Sequence, residues 1–156
     1  MTGRAEVTRL QRTLDATFGR VAGVPHDPEL LSDFARYLCV LVSGFLEQSV
    51  QELVLEHARR RTSSTVQRYV ESRMRGFTNA KTQRLLDLLG AFDPDWRRKL
   101  EQYLVDERKD AVDSVIDLRN TISHGRYAGI TMSRVGEYYY EVKNVIEHIA
   151  EICDPQ

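Results

Sequence analysis

The chain has 156 residues, 42% hydrophobic and 29% charged, with 22 Lys and Arg against 23 Asp and Glu. That length and balance fit one globular domain, residues 1–156, that buries its own core without crosslinks. The net charge of −1 excludes a broadly basic nucleic-acid binder, so any RNA contact must come from a local patch.

Helix punctuation is strong and strand signals are weak. A first helix is expected from about Ala5 to Ala22, ended by Gly23 and Pro25, with His26 in the loop. Asp27-Pro28-Glu29 then reads as a start signal. A capping carboxylate, a proline whose missing N–H costs nothing at the first position, and an acid at the positive helix end act together there. The helix it opens runs to about Arg60. Leu30, Phe34, Leu38, Leu41, Phe45, Val50 and Val54 recur at spacings that mark one helical face. Leu38 to Val42 is apolar all round, which predicts burial by several neighbours and makes this the central helix.

Thr62-Ser63-Ser64 breaks the chain. Short helices follow over about 65–75 and 80–92, and Asp93-Pro94 repeats the start signal for a helix carrying Trp96, Leu100 and Leu104. The next helix is expected from about Asp110 to Ser123, stopped by Gly125 in a left-handed conformation. Tyr127 to Thr131 reads as a loop, and a last helix spans about Met132 to Cys153. The whole is an all-α bundle built on long central helices.

Other features carry less. Cys39 and Cys153 have neither disulfide nor zinc spacing, no cofactor motif is present, and the carboxylates do not group with His as metal ligands would. The N-terminus lacks the apolar core of a signal peptide and no apolar run approaches the roughly 20 residues that span a bilayer, so a cytoplasmic protein away from membranes is expected. Arg59-Arg60-Arg61, with Arg68, Arg73 and Arg75, could track a phosphate backbone, but a solvated helix end is favoured. Tyr138-Tyr139-Tyr140 reads as packing plus one exposed ring. His57 and His148 read as surface residues, and Gly44 and Gly136 as points of close helix approach.

One residue breaks the pattern. On a helical wheel Val112, Val115, Ile116, Leu118 and Ile122 share a broad apolar face, and Arg119 falls near its middle. A guanidinium there is costly unless paired, yet its neighbours three and four positions away are Val115, Ile116, Ile122 and Ser123. An acid on another helix, a partner subunit or an anionic ligand must meet it. His124 follows at the helix end, where it either caps the last carbonyls or, favoured by the negative end of the dipole, serves as a proton donor.

The run Leu118-Arg119-Asn120-Thr121-Ile122-Ser123-His124-Gly125 resembles the Arg-x(4–6)-His signature of the HEPN superfamily. Phe34 to Glu47 resembles an early helix of its RiboL-PSP-HEPN family, and Ile130 to Val142 that family's last helix. The resemblance implies a HEPN-type bundle, frequently dimeric, whose ribonuclease members line one interface cleft with Arg and His from both subunits. It implies Arg119 and His124 as catalytic residues supported by Asn120. Ser123, Arg126 and Tyr127 are candidate RNA contacts beside them, with Arg126 equally readable as an exposed loop charge. Some HEPN toxins carry a modifiable Tyr two residues after the His; here Arg126 stands there and Tyr127 comes one later. The expected activity is metal-independent RNA cleavage by the 2′-hydroxyl, with arginine gripping phosphate in bidentate fashion. The expected setting is a toxin–antitoxin or phage-defence system, with a homodimer and a cognate antitoxin or defence partner. The alternatives are a non-catalytic HEPN interaction module and an antitoxin or immunity partner.

Overall fold

The computed structural model describes residues 2–24 and 27–155, so the expected stop at Pro25 and the loop position of His26 lie outside the described residues. Its helices are α1 (Gly3–Ala22), α2 (Pro28–Arg61), α3 (Ser64–Met74), α4 (Thr82–Phe92), α5 (Pro94–Tyr103), α6 (Asp106–Ser123) and α7 (Met132–Cys153). No strand occurs among the described residues.

The local start signals act as expected. Asp27 accepts a hydrogen bond from the Glu29 amide at 3.0 Å, and Asp93 does the same for Asp95 at 2.8 Å. Thr131 caps α7 through the Arg134 amide at 3.1 Å, a start the sequence shows only as the end of a loop. Helix α6 begins a turn earlier than expected, at Asp106. The run Asp106 to Asp110 has no apolar member to show helical periodicity, yet Asp106 and Glu107 suit the positive helix end. The N-terminus of α4 is capped from another helix: Asp113 of α6 accepts from the Thr82 amide at 2.7 Å. Burial pushes the Asp113 carboxyl up, but Lys109 and the two Thr82 hydrogen bonds together outweigh it and hold it below its ordinary value.

Helix α2 is the axle. It packs against α1, α3, α6 and α7, and its 34 residues give a rod about 50 Å long. Leu38, Cys39, Val42, Leu46, Val50 and Val54 are wholly buried, whereas Val40 and Leu41 keep partial exposure. By length and composition α2 could cross a membrane, more apolar than the sequence reading allowed, but 61% of its most apolar window is buried inside the bundle. Tyr139 of α7 donates to Asp15 of α1 at 2.5 Å and stacks on Phe18, while Tyr140 is exposed.

Two sequence expectations fail on packing. His57 is not a surface residue: its Nδ1 lies 2.9 Å from the Cys153 carbonyl and its ring meets the edges of Phe92 and Trp96. Likewise His148 stacks on Tyr103 with centroids 3.9 Å apart, and Arg108 covers Tyr103 at 4.0 Å. Burial lowers both imidazoles below their ordinary value of 6.5. Gly44 and Gly136 are not close-approach points either, since a methyl group at each would meet nothing within 4 Å. The tight place is Gly3, where a Cβ would lie 2.8 Å from the Glu52 carbonyl oxygen.

Candidate functional site

The site is built on the C-terminal half of α6. Val112, Val115 and Ile116 are fully buried against α2, whereas Leu118 and Ile122 are only partly covered. The apolar face is therefore narrower than the wheel suggested, and Arg119 continues its buried stripe one turn past Val115 and Ile116.

The charge finds its partner inside the chain. Arg119 Nη1 and Nη2 donate to the two carboxylate oxygens of Glu47 on α2, at 3.2 and 3.3 Å. The Glu47 side chain is 8% exposed and that of Arg119 19%, so this is a nearly dry ion pair. Such a pair holds because each charge would be strongly penalised alone. Arg119 Nε donates to Asn120 Oδ1 at 3.2 Å and Nη2 also reaches Asn79 Oδ1 at 3.4 Å. Asn120 Nδ2 donates to the same Asn79 oxygen at 3.1 Å. Of the five N–H donors of a guanidinium, one on Nη1 is left without an acceptor in this arrangement.

Of the three partners left open for Arg119, the structure supplies the acid on another helix, Glu47. The expected bidentate grip is thereby corrected: Arg119 cannot grip a phosphate with both terminal nitrogens while the carboxylate holds them. Sequence reasoning missed Glu47, although it closes the quoted α2 segment, and Asn79, which sits in the loop before α4. Asn79 adopts φ 55°, a left-handed conformation that asparagine tolerates better than most residues. That backbone turn is what a reader of the sequence could have sought in the Thr78-Asn79 loop, but nothing local ties it to residue 119.

His124 is the C-cap of α6 and is exposed. Among the described residues its imidazole makes no hydrogen bond or ion pair. The helix stops in a Schellman motif: the Gly125 amide donates to Ile122 at 3.0 Å and the Arg126 amide to Thr121 at 3.1 Å. Gly125 has φ 70°, as the stop signal required. Five helical positions separate Arg119 from His124, which is about 7.5 Å along the axis and about 140° around it. The two are therefore presented toward different sides of the helix end rather than stacked in one stripe. Ser123, Arg126 and Tyr127 are all exposed beside His124, with Tyr127 at 82%.

The first half of the other basic stretch is spent on the protein itself, while Arg68, Arg73 and Arg75 are exposed and make no ion pair among the described residues. Arg59 lies 3.6 Å from Glu56, Arg60 pairs with Glu56 and Asp154 at 2.9 and 3.0 Å, and Arg61 lies 3.6 Å from Asp154. The thiols are buried, which pushes Cys39 up to about 11 and Cys153 to about 12, so neither is poised as a nucleophile. No group of three or more His, Cys, Asp or Glu side chains that could hold a metal ion occurs among the described residues.

An all-helical bundle whose penultimate helix presents an Arg-x4-His run at its C-terminal end is the class this fold and site define. The family model of RiboL-PSP-HEPN matches residues 7–154, and the chain belongs to that HEPN family. No curated protein and no solved structure matches the chain.

Proposed function

We propose that the protein is a metal-independent endoribonuclease that acts as a homodimer within a toxin–antitoxin or phage-defence system. The observation that supports it best is that one helix end carries an exposed unbonded imidazole and, about 140° around the helix from it, a guanidinium anchored by a buried acid. HEPN domains are often ribonucleases, and this chain keeps both members of the Arg/His run.

RNA brings its own nucleophile. The 2′-hydroxyl oxygen attacks the adjacent phosphorus, its proton passes to a base, the P–O5′ bond breaks, and a proton is delivered to O5′. His124 and its counterpart on the second subunit divide the two transfers. Arg119 contributes a fixed positive group, with its one free N–H aimed at a phosphate oxygen and Glu47 as the positioning residue. Asn120 keeps the Nε side of the guanidinium in place and Asn79 ties both to the α3–α4 loop. Ser123, Arg126 and Tyr127 contact the RNA chain as it passes the helix end.

Purified protein incubated with RNA in EDTA is expected to release fragments ending in a 2′,3′-cyclic phosphate and beginning with a 5′-hydroxyl. RNA left intact under those conditions, and also after metal is added back, would sink this reading. A second reading has its own support: with Glu47 neutralising Arg119, the cluster can serve purely to lock α2, α6 and the α3–α4 loop together. The chain is then a non-catalytic HEPN module or an antitoxin or immunity partner, and it leaves RNA untouched while binding a protein.

A further inference from the structure

A broad cleft lies on the other side of α6 from the Glu47–Arg119 pair. It has a volume of about 970 Å³ and is walled by the start of α2, by α6 and by the loop into α7. Leu31, Leu118, Ile130 and Met132 make its apolar surface, and Ser114 and Thr121 add hydroxyls. Its carboxylate, Asp117, is held by Lys81 at 2.8 Å, so the cleft does not carry an unbalanced negative charge there.

Two arginines cover tyrosines at its border. The Arg36 guanidinium sits 5.7 Å from the Tyr127 ring centre, and Arg134 sits 5.7 Å from that of Tyr138. Arg36 is fixed by Ser32 and Asp33, one turn back on α2. The Tyr127 ring lies beside Gly129, where an added Cβ would come 3.5 Å from Cε1. The ring is 82% exposed. An aromatic ring turned out to solvent, with a cation over one face, is a surface on which a planar π-system stacks.

We infer that this cleft is a nucleobase subsite, in which an unpaired base of single-stranded RNA stacks on Tyr127 and enters beside Leu118 and Met132. The inference rests on the ribonuclease reading for its substrate. Tyr127 is three residues from His124, so their Cα atoms are at most about 11 Å apart, within reach of a nucleotide that adjoins the scissile phosphate. Arg126 stands between them with no acidic partner among the described residues, placed for the intervening phosphate. A base-paired strand cannot use the pocket, because its bases are stacked inside the helix, so the subsite selects loops, bulges and ends. The cleft volume also lies in the small-ligand range rather than that of a groove for a whole helix.

The test uses a short unpaired 2′-O-methyl oligonucleotide carrying 2-aminopurine, which binds without being cleaved. Wild-type protein is expected to quench the 2-aminopurine emission on binding. Tyr127→Ala is expected to lose the quenching and to weaken binding by about tenfold or more, while Tyr127→Trp keeps both. A thermal melt of each variant checks that the exposed position leaves the fold intact. Unchanged affinity and emission in Tyr127→Ala, equal binding of a duplex, or no binding at all would each overturn the subsite and leave the face to a protein partner. Cleavage of ordinary RNA, assayed separately, keeps the two ideas apart: quenching without cleavage removes the nuclease and spares the subsite, and cleavage with an unaltered KM in Tyr127→Ala does the reverse.

Discussion

Arg119 and His124 belong to one short run of α6 but live in opposite environments. The guanidinium is turned inward, nearly dry, and bonded to residues 72 and 40 positions away in sequence. The imidazole sits at a helix end that is held by backbone bonds alone, and its own nitrogens are free to act. The first residue is bound into the fold and can change only at the expense of stability. The second is bound into nothing and can change without cost to the fold. A proton-transfer group needs the second kind of place; a fixed electrostatic anchor needs the first.

The widest split between them is in activity. His124→Ala is expected to lower RNA cleavage by about 10²–10⁴-fold, the usual contribution of general acid–base catalysis. Its unfolding free energy from urea denaturation should stay within about 0.5 kcal/mol of wild type, as for an exposed position. A His124→Ala protein that unfolds early would erase the contrast.

Next comes Glu47→Ala, expected to destabilise by about 3 kcal/mol in chemical denaturation, because it strands a buried guanidinium. The double variant Glu47→Leu, Arg119→Met removes both charges and should regain most of that stability while remaining inactive. A double variant no more stable than Glu47→Ala would show that the pair does not carry the coupling between α2 and α6.

Gly125→Ala is smaller. At φ 70° an L side chain costs about 1–2 kcal/mol, and the Schellman bonds that set His124 and Arg126 should loosen. Thermal melting and cleavage rate should fall together, unlike in His124→Ala.

The smallest effect comes from the two half-buried histidines. His57 and His148 have folded values below the ordinary 6.5. The unfolded chain therefore takes up protons more readily than the folded one as pH falls below about 6.5, so their stabilising contribution is complete above that pH and declines beneath it. Tm is expected to drop between pH 7.5 and 5.5, a window in which ordinary carboxylates stay largely ionised. Replacing both His57 and His148 by Gln should flatten that slope.

Much of the fold was legible before any coordinates. Asp27-Pro28 and Asp93-Pro94 start helices, Gly125 ends one, and the apolar run from Leu38 to Val42 marks the central helix. These succeed because caps, prolines and periodicity act between residues a turn or less apart. The expectations that failed concern distant residues. His57 and His148 looked exposed beside their local acids, and only the docking of α5 and α7 covers them. Gly44 and Gly136 looked like contact points, and only the helix crossings show that nothing lies there.

By itself the sequence determined seven helical segments' order and most of their ends, the family, and the fact that Arg119 demands a partner. Only the tertiary structure decided that Glu47 and Asn79 meet that demand and that Tyr127 lies at the mouth of a cleft. A helix's own residues set its start, stop and apolar stripe, whereas the angle at which two helices cross sets which distant side chains touch.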